Sequence, residues 1–325
     1  MKVCMYADGE RLLRQSGIGT AIRQSRKALV LNGVDIVDDW RDADIIHIHT
    51  ISPMGAYISK VTKNAKVVMH AHTTSEDFKG SFIFSDYVSP VLARYLKTLY
   101  SSADLVLCPS EHTYNVLRSH GIHNEMRVIS NGVDLDAFTH MDERRRRCRK
   151  EMHLSGIVPF SVGNVFLRKG VDIFVETAQQ FKGTFMWYGT ISKFADSRAL
   201  RCVREAPPNV VFTGFMEDVV DAYAASDLFF FPSREENQGI VVLEAAAARK
   251  PLLLSRIPAF DYLEDTKDCL KASSAVEFKE KLELLFEDSP LRERLSRAAY
   301  EVAQQHDLRI VGATLKGYYE ELLSA

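Results

Sequence analysis

The sequence predicts an α/β protein of two doubly wound parallel-sheet domains, and three observations predict it. Short, nearly all-apolar runs alternate with amphipathic helical stretches. The alternation restarts once, near residue 159, and 325 residues suit two domains of roughly 100–200 residues each. Apolar runs of this kind mark parallel strands buried on both faces, and the helices between them are the crossovers that such sheets require.

The first series of strands is read at Lys2–Ala7, Asp44–His49, Lys66–Ala71, Leu105–Pro109 and Arg127–Ile129, with helical spacing at Ile18–Asn32, Ser89–Ser102 and Glu111–His120. The turn-rich stretch Ser130-Asn-Gly-Val-Asp134 and a highly charged run over 142–150 follow. The second series is Pro159–Val162, Phe185–Tyr188, Val210–Thr213, Leu228–Phe231 and Leu252–Leu254, with helices at Val171–Phe181 and Gly239–Ala248. The expected division is residues 1–150, residues 151–307 and a last helix, 308–325, whose polar and aromatic pattern suits packing back on the first domain. The two domains are expected to face each other across a cleft.

Composition excludes several classes. At 46% hydrophobic and 26% charged residues, the chain is a folded globular protein rather than a disordered one. The net charge of −2 divides into +4 over residues 1–150 and −6 over the rest, too small an excess for a nucleic-acid binder. Cys4, Cys108, Cys148, Cys202 and Cys269 are dispersed without a CxxC pair, which points to a reducing compartment and away from a disulfide frame or a zinc site. The first residues form too short an apolar run for a signal peptide, and no apolar stretch reaches about 18 residues. The expected location is cytoplasmic, either free or on a membrane surface.

In open α/β sheets, ligands bind beyond the carboxyl ends of the strands, so the loops there are the candidate sites. Ser16-Gly17-Ile18-Gly19-Thr20 opens a helix, where glycine lets backbone N–H groups approach a phosphate. The third glycine of a dinucleotide fingerprint falls on Ile22, so a phosphate loop and a tight helix-capping turn both remain open. Gly163-Asn-Val-Phe-Leu-Arg168-Lys169-Gly170 places two cations where they can neutralise a diphosphate or sit solvated on a turn. The most informative segment runs from Pro232 to Ala245 behind a very apolar strand. Glu236 stands in its loop, Glu244 stands inside the helix, and Asn237-Gln238-Gly239-Ile240 makes the junction. A loop carboxylate there can accept hydrogen bonds from sugar hydroxyls, and the helix start favours an anion.

These residues resemble glycosyltransferase family 4, the retaining group of GT-B fold that uses nucleotide-sugar donors. The resemblance covers essentially the whole chain. Its strongest element is E-x7-E, here Glu236 to Glu244, supported by Ser16-Gly-Ile-Gly19, Ser130-Asn-Gly-Val-Asp134 and Lys169-Gly170 with Asp172. A narrower resemblance, to diacylglycerol glucosyltransferases, is carried by His70-Ala-His72-Thr-Thr-Ser-Glu76-Asp77-Phe78, Arg168-Lys-Gly, Phe185-Met-Trp-Tyr-Gly189 and Glu235-Glu-Asn-Gln-Gly239. Many members carry Arg directly after the glycine of the second-domain loop. Here that position is Asn164, which leaves the diphosphate charge to Arg168 and Lys169.

The resemblance implies transfer of a hexose, with glucose expected, from a UDP-sugar with retention of configuration and no bound metal or other cofactor. It implies that Arg168 and Lys169 stabilise the leaving diphosphate, Glu236 holds the donor sugar and Glu244 the ribose, with no protein nucleophile. Gly17, Gly19, Asn164, Phe215 and Asn237 to Ile240 complete the expected donor contacts. His70 and His72 lie on one face of their strand, since alternate residues point the same way, and His72 is the expected contact to sugar or acceptor. His47 and His49 repeat the spacing on a neighbouring strand. With no carboxylate or cysteine beside them in sequence, the four are not read as a metal site.

The acceptor is expected on the first domain. Phe78, Phe82 and Phe84 stand in an aromatic-rich loop ahead of a basic amphipathic helix with Arg94 and Lys97, a pattern that suits a lipid acceptor at a membrane interface or, equally, ordinary core packing. Arg144-Arg-Arg-Arg-Cys-Arg-Lys150 can attract an anionic membrane surface or form a solvated helix face. The expected partners are therefore a nucleotide-sugar donor, a lipid such as diacylglycerol and an anionic membrane surface, with no nucleic acid. A soluble or polysaccharide acceptor, or a non-catalytic partner subunit, is the alternative. The E-x7-E placement argues against a sugar-nucleotide epimerase.

Overall fold

The computed structural model describes residues 1–9, 13, 16–82 and 84–324. The chain forms two compact units. Met1–Lys79, Phe84–Val133 and His306–Ala325 make the first, and Gly80–Ile83 with Asp134–Gln305 make the second.

The first unit contains β1 (Lys2–Tyr6), α1 (Gly17–Leu31), β2 (Asp35–Val37), β3 (Ile45–Ile48), α2 (Pro53–Val61), β4 (Lys66–His70), α3 (Ser75–Phe78), α4 (Ser85–Tyr100), β5 (Leu105–Cys108), α5 (Glu111–Ser119) and β6 (Met126–Val128). Its six strands run parallel in the order β2-β1-β3-β4-β5-β6. Ser16, Ser52, Thr74 and Ser110 cap α1, α2, α3 and α5, each accepting from a backbone N–H three residues on, which satisfies a donor the helix start leaves orphaned.

The second unit contains α6 (Met141–Glu151), β7 (Pro159–Val162), α7 (Val171–Ala178), β8 (Phe185–Tyr188), α8 (Ser197–Arg204), β9 (Val210–Gly214), α9 (Val219–Ala225), β10 (Leu228–Phe231), α10 (Ile240–Ala247), β11 (Leu252–Ser255), β12 (Leu270–Ala272), α11 (Ala275–Glu287) and α12 (Ser289–Gln305). Its strands are also parallel, in the order β12-β11-β10-β7-β8-β9. Aromatic rings fill its core: Phe174 packs edge-on to Trp187 and stacks on Phe230, with centroids 5.1 and 5.0 Å away.

The last helix, α13 (Leu308–Ser324), packs on α1 in the first unit. The close approach depends on Gly312, where a Cβ would stand 2.2 Å from the Ala28 carbonyl oxygen. The Asn32 side chain donates to the Arg309 carbonyl (3.1 Å) across the same contact.

Every expected strand is present, most with ends moved by a residue or two. β2 and β12 are additions; at three residues each they are too short to carry a pattern. The first division falls between Val133 and Asp134 rather than at residue 150. The charged run supplies the reason, because α6 is bound by ion pairs to the second unit. Arg144 reaches Asp218 and Asp221, Arg147 also reaches Asp221, and Arg145 and Arg149 share Asp227. Four of the five arginines are therefore paired with carboxylates of their own unit, Arg147 while still half exposed, rather than standing as free cations.

Candidate functional site

Each sheet has one switch point, where successive strands leave in opposite directions, and ligands of open α/β sheets bind beyond the strand ends there. In the second sheet it lies between β7 and β10, which places the loops Gly163–Gly170 and Pro232–Gly239 side by side. Gly170 adopts φ +74°, and a Cβ on it would stand 2.0 Å from the Pro232 carbonyl oxygen, so this approach of the two loops needs glycine. Arg234 stitches them further, with a two-pronged pair to Asp172 (2.7 Å each) and a backbone N–H donated to the Arg168 carbonyl (2.7 Å).

That packing assembles a charged set. Lys169 Nζ donates to the Glu236 carboxylate, the Ser233 hydroxyl donates to the same oxygen at 2.7 Å, and Arg168 Nη1 lies 4.0 Å from it. Glu236 is buried. Arg168 is held by donating Nε to the Ser81 hydroxyl (2.7 Å) and Nη1 to the Glu235 carbonyl (3.2 Å). Glu244, one helical stretch further, is buried and accepts from the Tyr223 hydroxyl at 2.7 Å. Burial and the Glu244 charge push the Tyr223 phenol well above its usual value, so it stays a donor.

Gly239 heads α10 with φ +79°, and Gln238 beside it is buried, its carbonyl accepting from the Tyr262 hydroxyl (3.5 Å). Asn237 and Asn164 are half-buried on the same two loops, and Ile240 is half-buried at the start of α10. Phe215 lies past the end of the edge strand β9, two strands from β7, and is 42% exposed. Gly17 and Gly19 belong to the first unit, where the Gly19 N–H is taken by the Ser16 cap (3.2 Å). Ser233, Ser81 and Tyr223 were missed by sequence reasoning. Ser233 is three residues before Glu236 and was within reach of it, whereas the other two depend on tertiary contacts without a local pattern.

In the first unit, His47 and His49 on and after β3 and His70 and His72 on and after β4 form one buried group, because β3 and β4 are adjacent. His49 Nδ1 and His72 Nε2 share a hydrogen bond of 2.9 Å. Burial drives the His72 pKa down to about 3 and those of the other three well below the usual imidazole value, so the rings are neutral near pH 7. Phe78 is half-buried on α3, and Phe84, at the head of α4 with φ +66°, is 71% exposed beside exposed Tyr87, Val88 and Val91. Arg94 and Lys97 are exposed on the same helix. Phe82 groups with the second unit, its ring edge-on to Phe166 with centroids 5.0 Å apart.

The chain is 32% identical over 99% of its length to the processive diacylglycerol alpha-glucosyltransferase of Acholeplasma laidlawii, 99% of which is covered. Family profiles agree, with Glycosyltransferase Family 4 matching residues 12–137 and Glycosyl transferases group 1 matching residues 157–288. The chain belongs to glycosyltransferase family 4. This transferase is also 25% identical to the alpha-galactosylglucosyldiacylglycerol synthase of Streptococcus pneumoniae, over 83% of its own length and 76% of the relative. Among solved structures, HepE of Anabaena in complex with UDP-glucose superposes with a TM-score of 0.81 at 16% identity, covering 99% of this chain and 100% of that one. The lipopolysaccharide glycosyltransferase WaaG gives 0.69 at 16%, covering 98% and 99%. These likenesses establish the GT-B fold.

Proposed function

We propose that this transferase moves glucose from a UDP-sugar to a hydroxyl of a diacylglycerol-type lipid, with retention of configuration and without a catalytic metal. The observation that carries the donor half is the set Arg168, Lys169, Ser233 and Glu236 at the switch point of the second sheet. Two cations against one carboxylate leave a net positive pocket for a diphosphate, and their attraction grows as the leaving group gains charge. Glu236 holds donor hydroxyls and Glu244 the ribose. The sugar is attacked from the face the diphosphate leaves, and a phosphate oxygen takes the acceptor proton.

The lipid half rests on the two relatives, both named for diacylglycerol glycolipids, and on α4. The exposed Phe84, Tyr87, Val88 and Val91 next to Arg94 and Lys97 suit the headgroup region of an anionic membrane. Among the described residues no helix is long and apolar enough to cross a membrane, so association is peripheral in this reading, on the cytoplasmic face. His72 contacts the sugar or acceptor, with His70 beside it.

A transfer assay without added metal tests the proposal, pairing UDP- and GDP-sugars with diacylglycerol in mixed micelles and with soluble sugars. Lipid-dependent UDP release with an alpha-linked glucolipid is the expected result. Transfer only to soluble acceptors removes the lipid half, and no turnover with any pair favours a non-catalytic subunit.

A further inference from the structure

The four histidines at the carboxyl ends of β3 and β4 exceed what a single sugar contact requires. Their rings cluster tightly: centroids are 3.9 Å apart for the tilted pair His47 and His49, and 4.1 Å and 5.3 Å for the stacked pairs His70–His72 and His47–His70. All are buried in the first unit. Neutral imidazole carries one N–H and one lone pair, and buried polar atoms normally find partners. Here Nε2 of His47, Nε2 of His49 and both nitrogens of His70 have none. One ring nitrogen from each of these three residues lies within 4.8 Å of the others. The remaining nitrogens are engaged: His47 Nδ1 with the Tyr319 hydroxyl (2.6 Å) and His49 Nδ1 with His72 Nε2 (2.9 Å).

We propose that His47, His49 and His70 form a binding site for a divalent transition-metal ion of the imidazole-preferring class, Zn²⁺ foremost. A metal-bound imidazole characteristically gives its other N–H to a hydrogen-bond acceptor, which fixes the tautomer and the ring. Tyr319 and His72 are so placed for His47 and His49. Three neutral imidazoles suffice for Zn²⁺ with a fourth position left for water, so the lack of a carboxylate or cysteine is no obstacle. The ion ties β3 to β4, and through Tyr319 it ties both to α13. Its ligands are residues other than Arg168, Lys169, Ser233 and Glu236.

The test uses the full chain with Zn²⁺ alone, without sugar or lipid. After incubation and gel filtration, elemental analysis is expected to find one zinc per chain in the native protein and at least a tenfold lower content in His70→Gln. Tyr319→Phe retains all three ligands and is expected to weaken zinc binding about 10–100-fold, the usual cost of losing an orienting partner. Should His70→Gln fail to fold by circular dichroism, Tyr319→Phe and the visible spectrum of Co²⁺ bound to the native chain carry the test. An intense tetrahedral cobalt spectrum displaced by one equivalent of Zn²⁺ supports the site. No retained zinc in the native chain, or equal zinc in native and variant proteins, overturns it.

Discussion

Beyond β7 and β10 in the second sheet, two cations, a carboxylate and a hydroxyl are drawn together, with Lys169 and the Ser233 hydroxyl (2.7 Å) both bonded to Glu236. Beyond β3 and β4 in the first sheet, the polar groups are four buried imidazoles that are neutral near pH 7. The two sheets have the same number of strands and the same parallel sense, and each doubles back at one switch point. Shared architecture thus sets where a ligand site can lie, and the loop sequences set its chemistry. One site suits an anion whose charge changes during reaction; the other suits uncharged hydroxyls or a metal.

The strongest way to break this contrast is at the charged set. Glu236→Ala is expected to lower kcat by about 10²–10³, in the range of losing one strong transition-state contact. Steady-state release of UDP measures it, and unchanged turnover would remove Glu236 from the donor site. Gly170→Ala attacks the loop packing itself. With φ +74° and a carbonyl oxygen 2.0 Å from the new Cβ, it should cost about 3 kcal/mol or more of stability, read from the urea midpoint. A neutral result there would mean that the two loops can separate freely.

Arg168→Ala with Lys169→Ala is expected to weaken UDP binding by about 2 kcal/mol, roughly thirtyfold by calorimetry, because two charge-assisted contacts are lost. UDP affinity within twofold of native would assign the diphosphate to other groups.

A pH series sharpens the neutral side. Buried histidines whose pKa is depressed leave the unfolded chain binding more protons than the folded one below about pH 6.5. Their contribution to stability is therefore present above that pH and is lost as pH falls, at up to about 1.4 kcal/mol per pH unit for each ring. Urea midpoints between pH 7.5 and 5.5 should fall mainly below pH 6.5. A midpoint that rises on acidification would show that the rings take up protons in the folded protein.

Legibility differed between the two regions. Strands Pro159–Val162, Phe185–Tyr188 and Leu228–Phe231 could be read to the residue; the last two are continuous apolar runs with polar or turn-forming residues at both ends, and the first is bounded by its proline and by Gly163. Glu236, Arg168 and Lys169 were legible because each lies in a loop that directly follows such a strand. The histidine pairs were legible as spacings on strands read as neighbours, but which ring nitrogens meet and which stay unpaired was not, since that depends on packing across the sheet. The charged run 144–150 misled for the same reason. Its arginines look surplus until Asp218, Asp221 and Asp227, more than 70 residues away, are brought to them.

Taken alone, the sequence determined the α/β class, the parallel strands, the loops at the strand ends where a ligand is sought and the family, because these follow from local hydrophobic period and short motifs. Only the tertiary structure decided which loops meet, where the chain divides, and which polar groups are satisfied. Those depend on strand order and long-range packing, to which residue period along the chain is blind.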